Sequence, residues 1–483
     1  MHFLHPEHDE QLELSLDDVF LLPGYFEGTS RLGVDLTPTD FRGGSHPIVS
    51  ANMNAVTGKR MAETMARYGG LGVLPQDMAL ETVERIAQHV KHAHPRFDTA
   101  LSVTASATVR DVQGIIRKRA HGMVVVIDEG HRPIGILTQA DLTGCDQYAS
   151  AHAVMSRNVV SLSDQVDNRE AFATMEKHRL RAAPVVNCGG QLIGVLTRAD
   201  AVRLEVMRPT LSPEGQLMVA AAVGIASSGI TQQAGALIEM GLSALVIDTA
   251  HGHQRRMLEA IAAVRKIAPR QMPIIAGNVC TTEGTRALIE AGADIIKVNV
   301  GPGAMCTTRM QTGVGRPSFS SVLACARAAK ALGKHVWADG GVRKPRDVAL
   351  YLAAGASRVM VGTAFAGTYE SPGDIVIDSE GRSYKENYGM ASARAVEERT
   401  RGLGAFEVAQ KRFFREGIST SRIYLRPGEE SVGAALTHMI TGLQSALTYV
   451  GATDLEAFTT SATVGVQTRG GFVEGTPHGQ VFG

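Results

Sequence analysis

Lys297–Ser318 reads KVNVGPGAMCTTRMQTGVGRPS. An apolar run, Ile295–Val300, stops at Gly301-Pro302-Gly303, and a cysteine, two threonines and an arginine follow at 306–309. Read as strand and then loop, this places a thiol just beyond a strand end. Glycines let the backbone approach a ligand or turn several carbonyls toward one ion, while Thr307 and Thr308 set hydroxyls beside the sulfur. A lone cysteine in apolar surroundings is more often a small core residue than a nucleophile. Cys306 instead lies among glycines and close to Arg309, where a thiolate is favoured. The residues alone leave both roles open.

The strand before this loop has counterparts on either side. Short apolar runs occur at 47–53, 70–74, 221–226, 244–250, 273–279, 295–301, 335–341 and 358–364. Most precede an Ala-rich amphipathic stretch, such as Gln232–Met240, Glu283–Glu290 or Pro345–Ala353. Eight such strands alternating with helices predict an α/β fold, a (β/α)8 barrel whose active site gathers at the C-terminal strand ends. Asn52, Met53, Asp248, Asn278, Cys306, Asp339 and Gly362 all fall at those ends.

Composition limits what such a chain can do. The 483 residues are 44% hydrophobic and 20% charged, enough for a large core and more than one domain. Lys+Arg and Asp+Glu balance at 48 each, so no net field draws nucleic acid or an anionic membrane. The 5 cysteines lack metal or disulfide spacing, which fits a reducing cytoplasm. No apolar run reaches membrane-spanning length and no signal-peptide pattern opens the chain. Small molecules and other subunits are the expected partners.

The strand-helix rhythm breaks after the second strand. MVVVIDEGHRPIGILTQADL at 123–142 is echoed by APVVNCGGQLIGVLTRADAV at 183–202, an internal repeat. Thr138 with Asp141 and Thr197 with Asp200 stand at equivalent positions, a spacing that also suits N-capping of a following helix. Three segments are expected: 1–94, first part of the barrel; 95–206, the paired insert; and 207–483, the second part. Within the last, the polar excursion at about 370–430 reads as an active-site flap.

GPGxxCTTRxxxGVGxP resembles the active-site loop of the IMP dehydrogenase and GMP reductase family, and similarities recur along the chain. The resemblance implies that Cys306 adds to C2 of a purine nucleotide, with Thr308 and Glu416 relaying a proton. It implies substrate contacts at Ser50, Met53, Asn278, Asp339, Gly340, Gly341, Gly362, Thr363, Gly389, Met390, Ala391 and Gly417. Cofactor contacts would fall at Ser30 and Arg31, reaching a neighbouring subunit, and at Gln76, Asp248, Thr249, Ala250, Val300 and Gly301. Carbonyls of Gly301, Gly303, Cys306 and Arg309 would hold a potassium ion (K+). The insert resembles a tandem of cystathionine-β-synthase-type (CBS) modules, whose Thr138, Asp141, Thr197 and Asp200 would hold ribose of purine nucleotides such as ATP or GTP. The C-terminal helix and strand resemble the family's and are expected to pack on a neighbour in a homo-oligomer, a tetramer or octamer.

Departures from the family pattern choose between its two reactions. Ala304 replaces a usual serine that touches phosphate, and Ser318 a common glutamine. Dehydrogenases carry an Arg-Tyr pair before the flap glutamate, the arginine serving as base for the hydrolytic water; here Arg412 is followed by Phe413. YGMASARAV at 388–396 is closer to the reductase pattern. The CBS pair is commoner in dehydrogenases, yet modules can be grafted without altering chemistry, whereas a missing base cannot be borrowed. The expectation is therefore a GMP reductase, converting GMP and NADPH to IMP, ammonia and NADP+. Its alternatives are an IMP dehydrogenase, using Arg412 or Arg415 as base, and a catalytically idle nucleotide sensor. Gln76 stands where the family offers a basic residue, which leaves Arg31 as the candidate for a cofactor 2′-phosphate.

Overall fold

The structure, a computed structural model, describes residues 1–8, 12–41, 43–225, 229–388, 406 and 420–477. Eight parallel strands close into a barrel: β1 (Ile48–Ser50), β2 (Leu71–Leu74), β3 (Ala220–Gly224), β4 (Leu245–Asp248), β5 (Ile274–Val279), β6 (Ile295–Val298), β7 (His335–Asp339) and β8 (Arg358–Val361). Each falls on one of the eight apolar runs, β3 beginning one residue before its run. Closure comes from β8 beside β1, with Val359 opposite Ile48, and from β2 beside β3, with Val73 opposite Ala220. Both faces of the strands are covered, so every residue of β2, β6 and β8 is buried.

Helices wrap the outside, and local chemistry sets their ends. Thr281 caps helix Thr282–Glu290 by accepting from the Gly284 N–H, and Pro345 opens helix Pro345–Ala353, where its missing N–H costs nothing. Helix Val432–Val450 starts at Ser431, which accepts from the Ala434 N–H, and stops at Gly451 with φ +92°. The bottom of the barrel is plugged by Asp40, which takes Nε of Arg358 at 3.0 Å and Nε1 of Trp337 at 2.6 Å.

Within the chain, strand Thr463–Val466 pairs with His2–Phe3 and Val19–Leu21, and helix Val432–Val450 packs on helix Pro345–Ala353. Among the described residues no helix is long and apolar enough to cross a membrane.

Between helix Leu80–His92 and β3 lie two small units of one design. In the first, Leu101–Thr104 runs parallel to Met123–Ile127, which pairs antiparallel with Pro133–Thr138. In the second, Leu162–Ser163, Ala182–Val186 and Leu192–Thr197 repeat that order and direction. The segment expected as a flap leaves along Ser383–Asn387 and returns along the antiparallel Ser421–Tyr424.

Candidate active site

Strand β6 carries a lysine in an otherwise apolar run, and the neighbouring strand makes room for it. A Cβ on Gly277 would come within 2.7 Å of Lys297 Cβ and 2.3 Å of its carbonyl oxygen, so only glycine allows this approach. Lys297 is 3% exposed, and its Nζ lies 2.9 Å from Asp248 Oδ1 at the end of β4 and 2.5 Å from Asp339 Oδ2 at the end of β7. Burial alone would lower the pKa of the ammonium, but the two carboxylates outweigh it and raise it above the usual lysine value. The network extends outward on both sides. Asn52 Nδ2 donates to Asp248 Oδ2 at 2.8 Å, and Asn278 Nδ2 donates to Asp339 Oδ2 at 3.0 Å and to the Asn299 carbonyl at 2.8 Å. Five strand ends are thereby tied together around one cation.

The cysteine loop leans on the same place. Gly340 and Gly341, at φ +79° and +77°, turn the chain sharply after Asp339. A Cβ on Gly340 would lie 3.6 Å from Gly303, and one on Gly341 3.1 Å from Pro302, so turn and loop are in near contact. Cys306 is exposed, and its thiol donates to Thr308 Oγ1 at 3.3 Å. Met305, just before it, accepts from the Ser421 hydroxyl at 3.5 Å, which ties the loop to the returning strand of the 383–424 ribbon.

The carbonyls expected to hold potassium lie on this loop. Gly303 O accepts from the Cys306 N–H at 2.9 Å and Arg309 O from the Gly313 N–H at 3.0 Å, which leaves each carbonyl a second lone pair. The Arg309 guanidinium lies inside the loop, bonded to the carbonyls of Val300 and Arg316 and packed on Gly301. Val300 and Gly301 are likewise held against Arg309.

Other expected positions divide into those at the site and those away from it. Gly362 and Thr363 begin helix Thr363–Ala366 after β8, with Met53 Sδ 3.4 Å from where a Gly362 Cβ would sit. A cavity of about 270 Å³ beside them is lined by Thr363, Gly367, Arg422, Arg426 and Glu429, among others. Thr249 follows Asp248 and exchanges backbone bonds with Gly277 and Asn278, with Ala250 exposed next to it. Gln76 lies at the end of β2, its Oε1 2.9 Å from where a Gly224 Cβ would sit. Among the described residues Gln76 Oε1 and Asn278 Oδ1 are buried without a hydrogen-bond partner. Such orphaned acceptors at a barrel mouth fit a ligand with N–H or O–H groups to offer, as a dinucleotide has.

Ser50 is fully buried, and its hydroxyl accepts from Thr57 Oγ1 at 2.8 Å. Ser30 and Arg31 are apart from the site in their own chain. Ser30 caps a short turn, and Arg31 bonds Ser445 and Tyr449 on helix Val432–Val450. Glu416, Gly417, Gly389, Met390 and Ala391, with Arg412, Phe413 and Arg415, lie outside the described residues.

In the insert the two Thr-Asp pairs differ. Asp141 is half-buried and its Oδ2 holds Thr138 N and Oγ1, at 2.7 and 2.6 Å. Asp200 is buried and already spent: Oδ1 accepts from Tyr68 of the barrel at 2.8 Å and from Arg203 Nε at 3.1 Å, and Oδ2 from Thr197 at 2.6 Å. Thr197 caps helix Arg198–Arg203 through the Asp200 N–H. In this arrangement Thr197 serves as a cap and Asp200 as an anchor to the barrel.

Lys297 and Asn299 are what sequence reasoning missed. A single lysine inside the apolar run IIKV, level with two strand-end aspartates, was the available signal. Asn299, at φ +116°, donates from Nδ2 to the Asp339 carbonyl at 3.2 Å and to Tyr351 at 3.3 Å. A side chain that accepts such a backbone for those bonds belongs to the architecture of the site.

The family model for the IMP dehydrogenase / GMP reductase domain matches residues 13–478. The chain belongs to this family. Within the family it is 47% identical over 470 residues to a GMP reductase of Mycobacterium tuberculosis, covering 97% of this chain and 98% of that one. It is 36% identical over 474 residues to an inosine-5′-monophosphate dehydrogenase of Bacillus subtilis, covering 96% and 95%. Among solved family structures, a cysteine-to-alanine variant of Trypanosoma brucei GMP reductase in complex with guanosine 5′-monophosphate superposes with a TM-score of 0.68. It is 31% identical and covers 99% of this chain and all of that one.

Proposed function

We propose that this chain is a GMP reductase, reducing GMP at C2 to IMP with release of ammonia. The observation that carries the reading is the exposed Cys306 thiol, bonded to Thr308 on a loop that abuts the Asp339 turn. Its greater identity to a GMP reductase, 47% against 36% for a dehydrogenase, supports the choice between the family's two reactions.

In this reading the Cys306 thiolate forms a bond to C2 of GMP. The C2–N bond then breaks, the amine leaves as ammonia with a proton relayed through Thr308 and Glu416, and a thioimidate remains. NADPH supplies hydride to C2, after which the C–S bond breaks and IMP departs with the thiolate regenerated. The chain's part is positioning. Asp339 takes the ribose hydroxyls, held in place by Lys297 and Asn278. Gly340, Gly341, Gly362 and Thr363 present backbone to the nucleotide, while Asp248, Thr249, Ala250 and Gln76 face the cofactor.

Residues 95–206 are read as a CBS pair that binds purine nucleotides such as ATP or GTP and regulates the barrel. The open Asp141 supports that reading for the first copy. The enzyme is read as cytoplasmic and as a homo-oligomer, a tetramer or octamer. Two absorbance assays at 340 nm test the activity, one with GMP and NADPH and one with IMP and NAD+. Signal loss in the first with silence in the second is expected; a rise in the second alone would make the chain a dehydrogenase, and silence in both a sensor.

A further inference from the structure

The two copies of the insert carry the same Thr-x-x-Asp but not the same surroundings. In the first the sequence continues Thr138-Gln-Ala-Asp141-Leu-Thr-Gly144, and in the second Thr197-Arg-Ala-Asp200-Ala-Val-Arg203. Where the first has Gly144, at φ +75°, ending a turn, the second has Arg203, ending a helix. Arg203 bonds Asp200 and lies over the Tyr68 ring, its carbon Cζ 4.1 Å from the ring centre. It also donates to the Arg67 carbonyl at 3.1 Å. Tyr68 itself is wedged from behind, since a Cβ on Gly433 would come 2.5 Å from its hydroxyl.

A ribose diol needs two free acceptor sites on one carboxylate, and Asp200 has given its accessible oxygen to Tyr68 and Arg203. We propose that Tyr68 of the barrel occupies the ribose position of the second copy, so that nucleotide binding there and docking of the insert on the barrel exclude each other. This rests on the reading of the insert as nucleotide-binding. The first copy stays open in the docked state, and the second opens only when Asp200 lets go of Tyr68. Tyr68 stands immediately after helix Lys59–Arg67, whose other end bears Arg60, bonded to the Ser371 carbonyl at 3.0 Å. That same carbonyl accepts from Lys385 at 2.7 Å, on the strand that leads to the flap. Docking and the root of the flap thus share one helix, which gives a nucleotide in the second copy a mechanical route to the active site.

Binding of ATP and of GTP to the full chain, measured by titration calorimetry for the wild type and for Tyr68→Phe, tests this. Losing a hydrogen bond to a buried charge should strengthen binding at the second copy by about tenfold or more. The wild type should then show one readily filled site per chain and Tyr68→Phe two, and the double variant Tyr68→Phe/Asp200→Asn should return to one. Identical stoichiometry and affinity in wild type and Tyr68→Phe would overturn the exclusion while leaving the nucleotide reading intact. Two sites persisting in the double variant would overturn the assignment to Asp200. Absence of binding to all three would overturn the nucleotide reading and the exclusion with it. Faster hydrogen exchange over residues 198–203 in Tyr68→Phe would then still report the docking contact by itself.

Discussion

Replacing Lys297 by methionine keeps the volume inside β6 and deletes the charge that Asp248 and Asp339 share. With Nζ at 2.9 and 2.5 Å from the two carboxylates, the gross attraction at an effective dielectric of about 20 is about 6 kcal/mol from each. Holding an ammonium out of water costs several kcal/mol, so breaking the bridge from one side loses about 3–5 kcal/mol. Each carboxylate keeps about a fifth of its surface, 19% and 20%, and water screens part of that loss. A loss of about 2.7 kcal/mol in transition-state binding, or about 10²-fold in kcat/KM for GMP, is therefore expected. It should appear mainly in KM, because Asp339 loses the contact that aims it at the ribose. Lys297→Arg should recover part of it. Because the pKa of Lys297 is raised in the fold, its bridge is fully present below the unfolded value and lost only as pH rises through the higher folded value. No limb of the wild-type pH–rate profile below about pH 10 should then come from it. NADPH oxidation at 340 nm gives the rates, and circular dichroism shows whether the fold survives. A folded Lys297→Met enzyme within about threefold of wild-type kcat/KM would refute the positioning role.

Three other perturbations read other parts of the molecule. Cys306→Ala should abolish turnover, by about 10⁴-fold or more, while GMP binding measured by calorimetry remains; retained turnover would exclude the covalent route. Burial, with the positive charge of Arg60 second, pushes the Lys385 ammonium down to about 7. Its folded value lies below the unfolded one, so stability should rise with pH from about 7 to about 10, and each decade in that equilibrium is about 1.4 kcal/mol. Lys385→Met should flatten that rise and gain about 1–3 kcal/mol at pH 6–7, the two carbonyls it leaves unbonded taking back part of the relief; thermal unfolding at pH 6 and 9 checks both. Arg119 of the first copy binds buried Glu63 at 2.5 Å and Asp98 at 2.9 Å. Arg119→Met should destabilise by about 3–5 kcal/mol and expose the 93–100 linker to protease, whereas unchanged cleavage would mean that the insert is held elsewhere.

The barrel was legible because parallel strands covered on both faces must be written as apolar runs. Cys306, Thr308, Asp339 and Asn278 could be placed because the chain itself brings each to a strand end or just beyond one. Lys297 was not legible in that way. Its role depends on Asp248 and Asp339, which lie on β4 and β7 and are far apart in sequence, and on the space left by Gly277. Nor was the bond from Thr57 to the Ser50 hydroxyl legible, because it depends on the chain folding back over seven residues. The tail's pairing with the N-terminus was not legible either, because Thr463–Val466 and His2–Phe3 lie at opposite ends of the sequence.

The insert shows most clearly what a motif leaves undetermined. Thr-x-x-Asp fixes a local bond, and both copies make it, Thr138 Oγ1 to Asp141 and Thr197 Oγ1 to Asp200, each at 2.6 Å. What the remaining carboxylate oxygen does is decided elsewhere, by Gly144 against Arg203 and by Tyr68 from another part of the chain. If docking and nucleotide compete for that oxygen, linkage makes the effect reciprocal: whatever factor docking takes from nucleotide affinity, the nucleotide takes from docking. Tenfold tighter nucleotide binding in Tyr68→Phe would therefore require that saturating nucleotide weaken the wild-type docking equilibrium by at least the same factor. Hydrogen exchange across 198–203, with and without nucleotide, measures that second side of the cycle independently of the first. Unequal factors would mean that the nucleotide reaches the insert by a route that does not pass through Asp200.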